Sequence, residues 1–280
     1  MAREALGEAF CEEPPLARAR GELFELSLLG SSIERRYRRF RPEVGRLPWG
    51  SLAAAKIPAN FAMRAAGVWT RMAYFEYRAA VGITMAIDAL LAARAPVDLV
   101  AVGSRFIQDE LSHAELCARV AAELGGAAPM AFPSRMVAIP PQRLRPIMRA
   151  ADLVTRVFCL GEAFSLPMAH AAAKKKAPPL VAAVLRRIAK DESEHGSFGW
   201  IFLDWAADQF SDEDRAYLSG LVKDALGAYR DLIAEQIPSD EGTLGWMTAE
   251  EFRHHAEMTL ENDLIAPLAA RGLYASSQTI

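Results

Sequence analysis

A tetrapeptide pattern, Glu-x-x-His, occurs twice in this chain, and it constrains the fold more than any other feature. The two copies, each preceded by an acid, are Asp109-Glu110-Leu-Ser-His113 and Asp191-Glu192-Ser-Glu-His195. Glu and His three residues apart lie on the same face of a helix. Each copy therefore presents one carboxylate and one imidazole to the same neighbour.

A solitary carboxylate precedes each copy, in a stretch that is otherwise apolar and helical in pattern. Glu76 lies 34 residues before Glu110, and Glu162 lies 30 residues before Glu192. A proline-containing breaker divides each interval near its middle, so each interval predicts a helical hairpin. Because the arms of a hairpin climb at about 1.5 Å per residue, each solitary Glu comes level with the Glu-x-x-His of its partner helix.

Four carboxylates and two imidazoles would then meet in one layer of a helical bundle. Moving four ionised carboxylates into an apolar interior costs on the order of tens of kcal/mol, and two imidazoles cannot neutralise them. Two divalent cations can. The candidate metal ligands, which are also the candidate catalytic residues, are Glu76, Glu110, His113, Glu162, Glu192 and His195.

With this ligand set, residues 60–210 resemble the ferritin-like di-metal carboxylate proteins, including members of unassigned function. The resemblance implies a four-helix bundle that binds two iron ions, or one manganese and one iron, with Glu110 and Glu192 bridging them and Glu76 and Glu162 as terminal ligands. The Asp before each Glu-x-x-His resembles the oxygen-activating members. In those proteins it accepts the outer ring proton of a ligand histidine, which assigns that role to Asp109 and Asp191.

The resemblance implies an enzyme that uses O2 to hydroxylate, N-oxygenate or desaturate a small organic substrate. Electrons would come from an external donor or from the substrate, because the chain carries no Rossmann fingerprint and no Cys-x-x-Cys pair. Two alternatives stay open: a ferroxidase or other iron-handling protein, and a helical interaction module whose metal site is structural. Extra helices at both ends make the chain longer than a storage bundle needs, which favours the first interpretation.

Other residues near the ligands give weaker evidence on which reaction the metal site would catalyse. Cys117 stands where radical-generating ribonucleotide reductase subunits carry their tyrosine, so a tyrosyl radical at that position is excluded. Ile188 stands where several N-oxygenating relatives carry an extra histidine, which weakens the aryl-amine interpretation. Small residues recur one turn from ligands, at Ala79, Ala80, Cys159, Ser165 and Gly199. They indicate either a substrate cavity or a close approach of helices.

The periodicity predicts an all-α fold in three parts: an N-terminal arm (1–59), the four-helix bundle (60–210) and a C-terminal helical extension (211–280). The bundle helices are predicted at 60–93, 97–124, 146–175 and 179–209, with a kink near Pro167 and a proline-rich crossover over 127–145. Capping boxes at Ser211 and Thr248 open two further helices, 211–237 and 248–271. These two could cover the bundle or make a subunit contact, as in a homodimer.

Two features have weaker functional interpretations. The arm is predicted to contain a helical segment near 16–30 and a basic run, Glu34–Arg41. We expect Tyr37 and Phe40 of this run to pack on the bundle while its arginines stay in water. Phosphate binding by the run is the alternative.

A third Glu-x-x-His, Glu251–His254, lies in the first turn of its helix. Glu251 already completes the capping box there, so this copy is not predicted to bind metal.

Composition and charge exclude several other functions. The 280 residues carry a net charge of −3 with a pI near 6.0, which gives no bulk attraction to nucleic acid or to an anionic membrane. The start of the chain is too acidic for a signal peptide, and Asp88 interrupts the longest apolar run. Three scattered cysteines form no disulfide framework, which predicts a reducing, cytoplasmic location.

Overall fold

The computed structural model describes residues 22–24, 26–126, 131–132, 139, 143–234, 244–245 and 247–274. The regular secondary structure of the described residues is helical apart from one short antiparallel strand pair, β1 (Glu22–Leu23) and β2 (Ala131–Phe132). The helices are α1 (Ser31–Phe40), α2 (Ala59–Ala92), α3 (Val97–Glu123), α4 (146–173), α5 (Pro179–Ala206), α6 (Asp212–Ala234) and α7 (249–270), with 3-10 turns at Val44–Arg46, Ser51–Ala55 and Ala207–Gln209. None of the described helices is long and apolar enough to cross a membrane.

The ends of α2, α3 and α5 lie within three residues of the predicted ones, because the sequence marks them locally. α3 ends before Gly125 and Gly126, whose φ values of 117° and 121° are accessible to glycine and strained for other residues. Pro146 and Pro179 occupy the first positions of α4 and α5, where a missing N–H costs no hydrogen bond.

α4 is not a uniform α-helix, and this was not predicted. It runs as an α-helix over Pro146–Val154, as a π-helix over Thr155–Glu162 and again as an α-helix over Ala163–Ala173. A π-helix bonds each N–H to the carbonyl five residues back and is frequently found at functional sites. Glu162 is the last residue of the π segment, so the irregularity leads directly to a candidate ligand.

The four ligand-bearing helices pack in a closed ring: α2 on α3, α3 on α5, α5 on α4, and α4 on α2. Two apolar clusters fill this ring. One contains Ile83, Phe106, Phe158 and Phe198, and the other contains Trp69, Leu116, Val120, Leu180 and Val184. Along α2, α3 and α5, the candidate ligands lie between the residues of the first cluster and those of the second, whereas Glu162 on α4 lies among residues of the first cluster.

The two C-terminal helices pack on α4 and on each other. The hydroxyl of Tyr229 on α6 donates to the carbonyl oxygen of Leu160 at 3.0 Å, within the π segment. Both predicted capping boxes are confirmed, with Ser211 and Asp214 bonded reciprocally before α6, and Thr248 and Glu251 before α7. Residues 235–237 of the predicted 211–237 helix lie outside the described residues.

The prediction for the arm was wrong in the part that is described. Residues 22–23 form a strand and 26–30 are not helical, whereas Ser31–Phe40 is a helix that begins after Gly30, at a φ of 81°. Residues 1–21 and 25 lie outside the described residues. So does most of the predicted 127–145 crossover, of which residues 131–132, 139 and 143–145 are described and none is helical.

The expected packing of the basic run was also wrong in part. Phe40 is 59% exposed, although Tyr37 is half-buried. The side chain of Arg38 binds Glu115 on α3 at 2.5 Å, and that of Arg41 binds Asp109. Partly buried carboxylates on α3 draw these two arginines out of water, because a charge in a poorly hydrated place needs a counter-charge.

Candidate metal centre

The structure brings all six predicted ligand residues into one buried cluster. Four helices supply them: Glu76 from α2, Glu110 and His113 from α3, Glu162 from α4, and Glu192 and His195 from α5. None of the six is more than 8% exposed, and both imidazoles are fully buried. The cluster could therefore hold metal, and it lies at the level that the two hairpins predicted.

The six residues form two overlapping sets of four. One set is Glu76, Glu110, His113 and Glu192, and the other is Glu110, Glu162, Glu192 and His195; within each set, one ligand atom per residue lies within 4.8 Å of the others. Glu110 and Glu192 belong to both sets. This is the geometry of two neighbouring cation positions that share two carboxylates and have one carboxylate and one imidazole each of their own.

Each imidazole turns its Nδ1 atom toward the shared carboxylates. In His113, Nδ1 lies 3.2 Å from Oε1 of Glu192 and 3.6 Å from Oε1 of Glu110. In His195, Nδ1 lies 3.0 Å from Oε1 of Glu110 and 3.4 Å from Oε2 of Glu192. The Nδ1 atoms are thus the candidate metal-binding nitrogens.

The outer ring nitrogens face the two aspartates, and each contact crosses from one Glu-x-x-His helix to the other. Nε2 of His113 lies 3.3 Å from Oδ2 of Asp191, and Nε2 of His195 lies 3.5 Å from Oδ2 of Asp109. A carboxylate at this place favours the tautomer with the proton on Nε2, which leaves the Nδ1 lone pair for a ligand bond.

Each aspartate is held in turn by an arginine, which the sequence analysis missed. Arg187 forms a two-bonded fork with Asp191, at 2.8 Å from Nε and 2.7 Å from a terminal nitrogen, and Arg41 from the arm binds Asp109. One signal was available, since Arg105 and Arg187 each stand four residues before the aspartate. It would have identified Arg187 correctly but not Arg41.

The pKa values show how the buried charges affect one another. Burial, with the neighbouring carboxylates, raises the pKa of Glu76 to about 8 and that of Glu162 well above its usual value. Burial lowers the pKa of His195, but the close approach of the Glu110, Glu162 and Glu192 carboxylates outweighs it and raises that pKa to about 12. The pKa of Glu192 is lowered, because the close approach of both imidazoles outweighs burial. Protons on these groups therefore offset part of the negative charge of the buried carboxylates.

Whether the cluster suits metal ions can be tested on its polar atoms. Nε2 of His195, which lies 3.5 Å from Asp109, has no hydrogen-bond partner in the described part of the chain. The same holds for five atoms at the centre of the cluster: both carboxylate oxygens of Glu110, Oε2 of Glu192 and Nδ1 of both imidazoles. Each such orphan costs about 1–3 kcal/mol. All of them are lone-pair donors that point into the same space, so divalent cations match the donor set.

The surroundings of the cluster are apolar and closely packed. The ring of Phe106 lies 4.1 Å from the ring of His195, and Cys117 is fully buried on the α3 side. A Cβ atom at Gly199 would lie 2.5 Å from Sγ of Cys159 and 2.9 Å from Cβ of Phe158. Of the two interpretations of the small residues, close helix approach therefore holds at Gly199.

Two further histidines, His170 and His254, lie outside the cluster. His170 is exposed, with Nε2 lying 3.1 Å from the carbonyl oxygen of Ala189. His254 is also exposed, and its neighbour Glu251 completes the capping box and binds Lys175. The third Glu-x-x-His thus lies outside the buried cluster.

Comparisons of the chain with protein-family models, with curated proteins and with solved structures found no match. The interpretation of the cluster therefore rests on its own geometry and chemistry.

Proposed function

We propose that this chain is a ferritin-like di-metal carboxylate enzyme of the cytoplasm, which uses O2 to oxidise a small organic substrate. The observation that carries the proposal is the pair of four-residue sets that share Glu110 and Glu192. A shared pair of carboxylates holds two metal ions close together, and two-metal sites of this kind activate small oxygen ligands. Iron in both positions suits the carboxylate and imidazole donors, with one manganese and one iron as the alternative.

In this assignment, Glu110 and Glu192 would serve both metal positions. Glu76 and His113 would complete one position, and Glu162 and His195 the other. When bound, the iron ions supply the electrons and the Lewis acidity for reducing O2, and an external donor or the substrate restores the electrons.

The side chains of the protein set the conditions for that chemistry. Asp109 and Asp191 keep the Nε2 protons in place, which fixes the rings and makes Nδ1 a better donor. Phe106, Phe158 and Phe198 exclude water on the side of His195. Glu76 and Glu162 are the most exposed of the six ligands, at 8% and 6%, so O2 and substrate would approach from the terminal carboxylates.

Iron handling is the second candidate function. The close contact of Gly199 with Cys159 and Phe158 leaves no space for a substrate at that position, which removes one reason to prefer an oxygenase. Glu76 and Glu162, the least buried of the six residues, could equally bind Fe(II) as it enters the site. A structural metal site in an interaction module is the third candidate.

A single-turnover experiment separates these candidates without knowledge of the substrate. Protein loaded with Fe(II) under anaerobic conditions is mixed with O2 in the presence of increasing excess Fe(II), and both O2 consumption and Fe(II) oxidation are measured. An oxidase of organic substrates should stop near two Fe(II) per chain. It should continue only when a reductant and a suitable organic compound are added.

The other outcomes identify the alternatives. Sustained oxidation of Fe(II) far beyond two per chain would replace the proposal with a ferroxidase. Binding of two metal ions without any reaction with O2 would support a structural site.

A further inference from the structure

We propose that Arg41 and Glu43, two residues of the N-terminal arm, are positioning residues of the metal centre. Neither is a ligand. Arg41 holds Asp109 and thereby His195, while Glu43 holds Arg187 and thereby Asp191 and His113. The inference rests on the proposed di-metal centre but not on its reaction with O2.

The first chain of contacts begins at Arg41. Its guanidinium binds Oδ1 of Asp109, and the other oxygen of the same carboxylate, Oδ2, lies 3.5 Å from Nε2 of His195. The side chain of Asp109 is 6% exposed, so little water is available to balance its charge. Arg41 is therefore the counter-charge that allows Asp109 to remain a buried anion beside the imidazole.

A comparison of the two Asp-Glu-x-x-His repeats shows why this contact is unexpected. Each repeat has an arginine four residues before its aspartate. Arg187 turns to Asp191, whereas the side chain of Arg105 is 63% exposed and lies 3.8 Å from Glu194 instead of binding Asp109. Arg41 occupies the place that the repeat would give to Arg105, so the arm completes the first half of the centre.

The second chain of contacts begins at Glu43. Its Oε1 lies 2.7 Å from one terminal nitrogen of Arg187, and the other two guanidinium nitrogens form the fork on Asp191. Oδ2 of Asp191 lies 3.3 Å from Nε2 of His113. Glu43 thus completes the hydrogen bonding of a partly buried guanidinium that would otherwise be free to turn toward water.

The arm is anchored well enough to act in this way. Arg38 binds Glu115 before it, and after it Val44 is buried and its carbonyl oxygen accepts a hydrogen bond from Nε1 of Trp49 at 2.8 Å. The guanidinium of Arg119 lies 3.6 Å from the centre of the Trp49 ring. Residues 38–49 therefore form a strap that is fixed on α3 and reaches across to α5.

The strap connects the two histidine-bearing helices at the level where the aspartates contact the Nε2 atoms of the imidazoles. Through Arg41 it acts on His195 of one metal position, and through Glu43 on His113 of the other. Displacing the arm should therefore weaken both metal positions although no ligand is changed.

The first test measures Co(II) binding, by titration and by the visible spectrum of the bound ion, to the full-length protein and to Arg41→Gln. Loss of an outer-sphere partner typically costs about 10–100-fold in metal affinity, and we expect Arg41→Gln to fall near the lower end. Arg105→Gln is the matched control, since it removes the same charge from an exposed arginine, and it should leave affinity unchanged. Arg41→Lys should restore part of the loss.

A double-mutant cycle decides whether Arg41 acts through Asp109. In an Asp109→Asn background, Arg41→Gln should cost little more, because the charge that Arg41 balances is already gone. An equal loss in both backgrounds would overturn the positioning role, and so would equal effects of Arg41→Gln and Arg105→Gln. If Arg41→Gln fails to fold, the double variant Arg41→Gln/Asp109→Asn is compared with Asp109→Asn alone. This comparison still measures whether Arg41 has an effect that does not depend on Asp109.

The second test separates the two contact chains. In the Co(II)-loaded protein, the Nε2 proton of each ligand imidazole gives a shifted, exchangeable NMR resonance. Arg41→Gln should move or broaden the resonance of His195, and Glu43→Gln that of His113, whereas the control Glu257→Gln, at an exposed position on α7, should move neither. Identical changes in both resonances for both variants would contradict separate chains.

The outcomes also separate this inference from the proposed function. Absence of Co(II) binding to the unmodified protein would overturn the metal centre itself. Normal Co(II) binding with no effect of Arg41→Gln or Glu43→Gln would overturn the positioning role alone.

Discussion

Glu76 and Glu162 each belong to one set of four ligands, so their removal should affect one metal position more than the other. We expect Glu76→Ala and Glu162→Ala to lower the content of reconstituted protein from about two metal ions per chain toward one, because the shared carboxylates remain. Metal analysis after removal of loosely bound ions measures this.

His254→Ala is the control for both variants, since His254 is an exposed member of a Glu-x-x-His outside the cluster. It should retain the full metal content. An equal loss from His254→Ala and Glu76→Ala would show that the wrong Glu-x-x-His had been assigned to the metal.

Asp109 and Asp191 provide a test of the contacts between the aspartates and the Nε2 atoms of the ligand imidazoles. Asp→Asn keeps the shape of each side chain but removes the charge that fixes the imidazole proton on Nε2. We expect each variant to fold and to bind metal about 10–100-fold more weakly, as measured by competition with a chelator. Unchanged affinity in both variants would mean that the aspartates do not act on the ligand histidines.

The sequence predicted the six cluster residues and the two aspartates because their pattern repeats on helices of known pitch. Arg41 and Glu43 could not be predicted in the same way. They come from an irregular segment far from α3 and α5 in sequence, and arginine reaches its partner through a long side chain whose direction no periodicity records. Even the repeated arginine was ambiguous, since Arg187 turns inward and Arg105 does not.

The regular helices were predictable from proline, glycine and capping signals, but the departures from regularity were not. The π segment Thr155–Glu162 has an apolar pattern compatible with an α-helix, and its different hydrogen bonding depends on neighbours. One such neighbour is Tyr229, whose hydroxyl bonds the carbonyl oxygen of Leu160. The strand pair of residues 22–23 and 131–132 was missed because it depends on long-range pairing.

The contact between α4 and α5 depends on the absence of a side chain at Gly199. In Gly199→Ala, the added methyl would meet Sγ of Cys159 and the backbone nitrogen of Cys159 at 3.0 Å or less. Since backbone cannot give way as a flexible side chain can, we expect a loss of about 1–3 kcal/mol in the free energy of unfolding, measured with urea.

Gly220→Ala is the matched control, because Gly220 lies inside α6 and nothing lies within 4 Å of its added methyl. It should gain up to about 1 kcal/mol from the higher helix propensity of alanine. A similar gain from Gly199→Ala would show that α4 and α5 are not in close contact there.

In the whole molecule, the cluster lies between the two apolar clusters of the four-helix ring, where neither solvent nor neighbouring polar groups satisfy it. The metal-free protein must therefore hold protons on residues that would be ionised in water. Burial raises the pKa of Glu76 to about 8 and that of Glu162 well above its usual value. These two carboxyls bind protons in the folded chain at a pH where the unfolded chain has already lost them.

This difference fixes the sign of a pH dependence. Between about pH 5 and 8 the folded metal-free chain binds more protons than the unfolded chain, so its free energy of unfolding should fall as the pH rises. The raised pKa of His195 acts in the same direction above its usual value of 6.5. Glu192 and Asp191, whose pKa values are lowered, act in the opposite sense, but only at a pH near or below their usual values of 4.5 and 3.8.

Metal should reverse the trend, because a bound divalent cation requires deprotonated ligands and binds more tightly as the pH rises. We therefore expect urea unfolding of the metal-free protein to occur at lower denaturant at pH 8 than at pH 5.5. With two equivalents of Zn(II) the order should be inverted. In metal-free Glu76→Gln the pH dependence should weaken, since one of the buried carboxyls is gone. A metal-free protein more stable at pH 8 than at pH 5.5 would mean that the cluster is hydrated, and that cations are not required to balance its charge.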